Sequence, residues 1–414
     1  MRTMRILLSE GSSTSAREAI TALGVGGHDI EICDPDPRCF GRFSRFVTRF
    51  HRCPGLRDHP LEYLSFVLDL LSRRRFDVLL PIHEQGYLFS AAQERLGPLT
   101  HVALPAFGSY RRAISKAGFH ELLTELELPQ PRTRLVAGAS QLQAQPRFPS
   151  VVKTAIGTAS RGTWTVRSQA DVVRVSALLD STGGFDDAVL VQDLVDGPVE
   201  HAQAIFRRGE MLAMHAYRRL VSGIGGGDAV KESVSRPVVA SHMRSIGERL
   251  AWHGALSVDY VMSADGPAYI DCNPRLVEPM SALLAGLDLT HILLQVSCDR
   301  HVAPCSPGRG GIRTHLAMQA LLGAAARGAS RRALLAECWR LWNRLGPYRD
   351  SEEELTPLRL DPVSAVPTLS AALVVLANPR WAGPLAERGW GEHLLTPATM
   401  RTIERDLRPN QTGT

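Results

Sequence analysis

One segment, Gly254 to Arg275 (GALSVDYVMSADGPAYIDCNPR), constrains the fold more than any other. Its two halves read as strands, and Asp265-Gly266 between them is a strong two-residue turn signal, so it is expected to be a β-hairpin. Asp259 lies on the first strand and Asp271 on the second, which makes the carboxylates near neighbours across the ladder. Side chains alternate along a strand, so Asn273 shares the face of Asp271 while Cys272 turns away as core filler. Two carboxylates and an amide oxygen on one face suit Mg²⁺, which takes oxygen ligands and completes its shell with water and phosphates. Arg275 follows at once, and a guanidinium there can stabilise charge on a transferring phosphoryl group. A surface hairpin with solvated acids is the plainer alternative.

The 414 residues have room for two or three domains. Strands at 4–11, 28–36 and 75–82 alternate with helical patterns, which predicts a parallel α/β domain over residues 1–105 with its strand ends facing a ligand crevice. Residues 106–300 form a second unit. A helix over 109–128 is stopped by Pro129 and Pro131, and a small lid spans about 140–192. Within that lid, PSVVKTAIGTASRGTWTV reads as strand, Gly/Ser/Thr loop, strand, and the loop can lay its amides along phosphates. It is not a Walker A loop, because Thr163-Trp164 stands where Lys-Ser/Thr is needed. Residues 301–414 read as a mostly helical C-terminal region. The glycine loop at 222–228 reads as flexible.

Composition is ordinary for a globular protein, and a net charge of +5 spread over the chain points to no nucleic-acid partner. The seven cysteines show no ligand spacing and fit a reducing cytoplasm. Neither a signal peptide nor a membrane span is expected. One imbalance is informative. Lys116, Lys153 and Lys231 are the only lysines, against 44 arginines among the 47 basic residues. Lysines that survive such a bias mark positions where a compact ammonium fits and a planar fork does not.

Four motifs in order over residues 1 to about 300 make the chain resemble the ATP-grasp superfamily, close in layout to biotin carboxylase and the carboxylate–amine ligases. SKAGFHELLTELELPQPRT is similar to its Asp-Lys helix and Gly-Ile-Pro-x-Pro segment, with Ser115 and Leu128 substituted. PSVVKTAIGTASRGTWTV resembles its phosphate loop, with Thr154 in place of Pro. VLVQDLVDGPVE resembles its hinge strand, and the 254–275 segment its metal-binding hairpin.

The resemblance implies that Lys116, Lys153 and the loop residue Ser160 contact ATP phosphates. Gln192, Asp193, Leu194 and Val195 would hold adenine, although the family usually has an acid at the Gln192 position, and Glu200 would hold the ribose. It implies Mg²⁺ on Asp259, Asp271 and Asn273, two ions being expected and Mn²⁺ an accepted substitute, with Arg275 and Lys153 offsetting charge in the reaction. The family more often has Glu at both acidic positions. Glu84, Arg218 or Arg219 (whichever faces inward), Lys231 and Glu278 are the expected substrate contacts; the plainer alternatives are a solvated helix N-terminal acid for Glu84 and a mobile surface loop for Lys231, which follows the glycine loop. The activity implied is ATP-dependent ligation of a small carboxylate to an amine through an acylphosphate. A bicarbonate-activating carboxylase or carbamoyl-phosphate-type enzyme, and a nucleotide-binding protein without turnover, are the alternatives. A homodimer is compatible with the helical tail.

Overall fold

The computed structural model describes residues 3–144, 147–157, 161–387 and 390–407. Four parallel strands come first: β1 (Arg5–Leu8), β2 (Asp29–Asp34), β3 (Val47–Arg52) and β4 (Val78–Leu80), in the order β3-β2-β1-β4. Ile6, Leu7 and Leu8 are fully buried on both faces, as a parallel sheet covered by helices requires. The helix Thr14–Val25 follows β1, its first turn capped by Ser13 Oγ accepting from the Ala16 amide. The mouth of this sheet therefore carries the sequence Glu10-Gly-Ser-Ser-Thr-Ser.

A small antiparallel sheet follows: β5 (Thr133–Val136), β6 (Ser150–Thr154), β7 (Thr163–Val166) and β8 (Val189–Asp193), in the order β5-β8-β6-β7. With the helix Gln169–Ser181 it encloses a core of its own, built on Val136, Val152, Val166, Val172, Leu179 and Val191.

The largest sheet has seven strands: β9 (Val199–Arg207), β10 (Glu210–Ser222), β11 (Asp228–Val234), β12 (Gly254–Ser263), β13 (Gly266–Asn273), β14 (Arg313–His315) and β15 (Ser351–Glu353). Their order is β13-β12-β9-β10-β11-β14-β15. The expected hairpin is β12–β13, and Asp259 and Asp271 are direct partners in its register, with a bulge just past Asp259.

One expectation is corrected. The single helix over 109–128 is two, Phe107–Ile114 and Lys116–Glu125. Ser115 breaks the run: its hydroxyl caps the second helix, and the Lys116 amide turns to the Ala155 carbonyl at 2.8 Å. The tail is mostly helical, with the helices Ala317–Ala326, Arg331–Trp342 and Ala365–Ala377, and its short strands β14 and β15 extend the seven-stranded sheet. Among the described residues no helix is long and apolar enough to cross a membrane.

Candidate active site

The small sheet and the seven-stranded sheet face each other across an open cleft of about 590 Å³. Lys116, Lys153, Gln192, Asp193, Leu194, Val195, Arg219, Asp259, Asp271, Asn273, Arg275 and Glu278 all line it, drawn from segments up to 162 residues apart.

Lys153 sits on β6 and reaches across to the β13 carbonyl of Ile270 at 2.8 Å. Burial pulls its pKa down to about 8, against the opposing pull of Asp271. Lys116, at the start of its helix, holds Asp271 Oδ2 at 3.1 Å and the Gly157 carbonyl at 2.6 Å. The loop between β6 and β7 is thus tied to the hairpin by a lysine at each side. It closes on itself where the Thr154 amide meets the Gly162 carbonyl. Gly162 has φ +70°, and a Cβ there would lie 2.1 Å from Thr154 Oγ1, so only glycine fits. Ser160 lies outside the described residues.

Asp259 is held on both oxygens. His201 Nδ1 lies 2.7 Å from Oδ1, and the Asn273 amide donates to Oδ2 at 3.3 Å. Burial works against charge on Asp259, yet His201 keeps its carboxyl below the usual range. His201 also lies 3.3 Å from Asp228, which Arg219 grips in turn. Burial lowers the His201 pKa, but the two flanking aspartates more than offset this and raise it to about 10, so the ring is an imidazolium. His201 and Asp228 were not anticipated. The β9–β12 pairing that puts His201 opposite Asp259 joins segments 58 residues apart, and no local pattern announces it.

Asp259, Asp271 and Asn273 fit a hard divalent cation by the chemistry of their donors, two carboxylates and an amide oxygen on one end of the hairpin. In this structure the cations on those carboxylates are the protein's own, Lys116 and His201.

Four expected contacts lie elsewhere. Glu200 is fully buried behind β9 and takes a two-pronged bond from Arg236, at 2.6 and 2.7 Å, and one from Tyr260 Oη at 3.0 Å; it does not line the cleft. Arg218 turns outward to Glu232, so of the two arginines Arg219 is the inward one. Lys231 is not on a mobile loop. It is fully buried on β11, with Nζ 2.6 Å from both Glu278 and Glu354 and 4.9 Å from the centre of the Tyr217 ring. Glu84 lies in a small cavity behind the main one, with His83, Tyr110 and Arg275. There its carboxylate accepts from the Leu395 amide, and burial pushes its pKa up to about 7.

The glycine loop at 222–228 is also pinned rather than free. Its Ile224 amide donates to Gln319 Oε1 at 3.0 Å, and Gly323 packs against Gly223 so closely that a Cβ would lie 2.7 Å from the Gly223 carbonyl carbon.

No family model and no curated protein matches this chain. Solved structures do. The biotin carboxylase domain of a 2-oxoglutarate carboxylase from Hydrogenobacter thermophilus, crystallised as a dimer with MgADP, ADP and bicarbonate, superposes with a TM-score of 0.61 at 13% identity, over 76% of this chain and 74% of that one. An L-amino acid ligase from Bacillus licheniformis gives 0.61 and 13%, over 76% and 81%. A carboxyaminoimidazole ribonucleotide synthase from Aspergillus clavatus, complexed with ATP, gives 0.60 and 13%, over 81% and 86%. At such identities the likeness is one of fold alone, the ATP-grasp fold that these carboxylase, ligase and synthase structures share.

Proposed function

We propose that the chain is an ATP-dependent ligase that joins a carboxylate to an amine through an acylphosphate, releasing ADP and phosphate. The observation that carries this reading is convergence. Both cleft lysines, both hairpin acids, Asn273 and Arg275 meet in one cleft whose rim is the strand-end segment Gln192–Val195. That segment is the proposed seat of adenine, partly through its backbone. ATP supplies the phosphoryl group, and Mg²⁺, held by Asp259, Asp271 and Asn273, offsets phosphate charge when bound.

The chain's own residues do the rest by position and charge. Lys116 and Lys153 present ammonium groups from the two sides of the phosphate loop. Arg275 follows the hairpin end and places a guanidinium beside the reacting carboxylate, where charge grows during transfer. The amine then attacks the acyl carbon and phosphate leaves. The small sheet acts as a lid that keeps water from the acylphosphate. Residues 1–105, 106–300 and 301–414 remain the proposed division of the chain, with the lid within 140–192.

Release of ADP over a panel of carboxylates and amines tests this. Lys153→Ala and Asp271→Ala are each expected to lower turnover by at least 100-fold with the folded state intact. Near-normal turnover in either variant would sink the assignment, and bicarbonate-dependent ADP release without an amine would move it to the carboxylase class.

A further inference from the structure

The cleft also has an apolar end, built from segments distant in the chain. Phe40, from the loop after β2, Ile224, from the pinned glycine loop, Met318 and Leu322, from the helix Ala317–Ala326, and Leu385, from the helix Ala382–Glu387, all line it. They belong to one apolar cluster, in which Phe40, Ile224 and Leu385 are only partly buried and so leave apolar surface turned to the cleft. Gln319 and the close Gly223–Gly323 contact hold Ile224 in place, so this wall is preformed.

Next to it stands Glu278. Lys231 holds its Oε2 at 2.6 Å and Thr14 Oγ1 donates to Oε1 at 3.2 Å, while its amide donates to Ser15 Oγ at 3.3 Å. Its backbone is left-handed, φ +52°, a conformation that a glutamate keeps only when its surroundings impose it. Behind it, Glu18 and Glu354 are fully buried, and each has an oxygen with no hydrogen-bond partner among the described residues. Three carboxylates thus surround one ammonium. Glu278 and Glu354 share the single Lys231 ammonium, and of the three carboxylates only Glu278 lines the cleft.

The neighbouring loop does not invite an anion. The start of a helix is the usual seat of a phosphate. Here the Ser12 and Ser13 amides already donate to Glu10, and the Gly11 amide to Asp34.

From this juxtaposition we infer that the apolar end of the cleft seats a substrate carrying both an ammonium and a bulky apolar group, that is, an apolar amino acid. The ammonium lies against Glu278 and the apolar group against Phe40, Ile224, Met318, Leu322 and Leu385. This deepens the ligase reading and rests on it. It also gives the C-terminal region a role in specificity.

Calorimetric titration of the full chain, saturated with ADP and Mg²⁺, tests the inference with phenylalanine, leucine, glycine, aspartate and 3-phenylpropionate. Phenylalanine and leucine are expected to bind at least tenfold more tightly than glycine and aspartate, and phenylalanine at least tenfold more tightly than 3-phenylpropionate, which lacks the ammonium. Leu322→Trp fills the apolar end and is expected to cost phenylalanine tenfold or more while sparing glycine. Met318→Ala, milder on the fold, should shift preference from leucine towards phenylalanine. Glu278→Gln should abolish the difference between phenylalanine and 3-phenylpropionate. Equal binding of glycine and phenylalanine, indifference to the ammonium, or no binding of either apolar amino acid overturns the inference while leaving the ligase reading standing. Failure of ADP itself to bind overturns the ligase reading instead, and the same titrations without nucleotide then decide the inference.

Discussion

Each of the three lysines is buried with its ammonium on carboxylate or carbonyl oxygens: Lys116 on Asp271 and Gly157, Lys153 on Ile270, Lys231 on Glu278 and Glu354. Lys231 is the extreme case, enclosed by Glu278, Glu354 and the Tyr217 ring. Removing one partner of a buried ion group leaves the others charged and dry. Lys231→Met is therefore expected to destabilise the protein by about 3–5 kcal/mol, read as a lower urea midpoint, and Lys231→Arg is expected not to restore it. Glu84 gives a pH-dependent counterpart. Burial raises its carboxyl to about 7, so between about 4.5 and 7 the folded chain holds a proton that the unfolded chain has lost. Its contribution to stability thus falls as pH rises through that window and is flat on either side. Glu84→Gln keeps an acceptor for the Leu395 amide but cannot titrate. Its unfolding free energy from urea titration, set against the parent's, should gain on the order of 1–3 kcal/mol between pH 5 and pH 7.5 and nothing further above. A gap that does not change with pH would show that Glu84 is ionised throughout.

Elements were legible in the sequence where their pairing is local. The β12–β13 hairpin announces itself by alternation and by Asp265-Gly266, and its register brings Asp259 to Asp271 as expected. The same alternation put Arg218 and Arg219 on opposite faces, leaving the structure to choose between them. Strands β3, β5, β14 and β15 were not legible. The last three are short, and each is ordered by a partner far along the chain: Thr133 pairs with Gln192, Lys231 with Thr314, and Arg313 with Ser351; β3 is longer and pairs with β2 just before it, but its alternating Arg and His residues hide it. Glu354, just past β15, is likewise fully buried without any local signal of it. The glycine loop looked free because the helix that holds it starts about 90 residues later. That contact can be tested at its tightest point. A methyl at Gly323 would meet Gly223 backbone, which cannot swing aside as a side chain can. Gly323→Ala is expected to cost about 1–3 kcal/mol and to speed hydrogen exchange at 223–227 while leaving the β6–β7 loop unchanged. Unaltered exchange there would show that the loop is held by something other than this packing.

Across the whole molecule, the C-terminal region reaches back into every layer. Its β14 pairs with β11 and covers what would otherwise be the edge of the seven-stranded sheet. Glu354 is one of the two carboxylates that lie 2.6 Å from the buried Lys231 ammonium. His393, fully buried, lies 3.1 Å from Asp34 and 2.9 Å from Gln85 at the mouth of the parallel sheet, and the Leu395 amide serves Glu84. Cutting the chain at residue 300 would therefore do more than remove helices. It would bare the β11 edge, leave Asp34 and Glu10 buried without their nearby imidazole, and open the apolar end of the cleft. Each buried carboxylate stripped of its partner costs several kcal/mol, against a total stability of about 5–15 kcal/mol for a typical protein. The fragment 1–300 is thus expected to be insoluble or to melt without a cooperative transition, and to bind ADP at least 100-fold more weakly than the full chain. Supplying 301–414 as a separate chain should restore part of both. A fragment 1–300 that melts cooperatively and binds ADP like the full chain would show that the cleft is complete without its C-terminal wall. The apolar end of the cleft would then have to be built by residues before 300 alone.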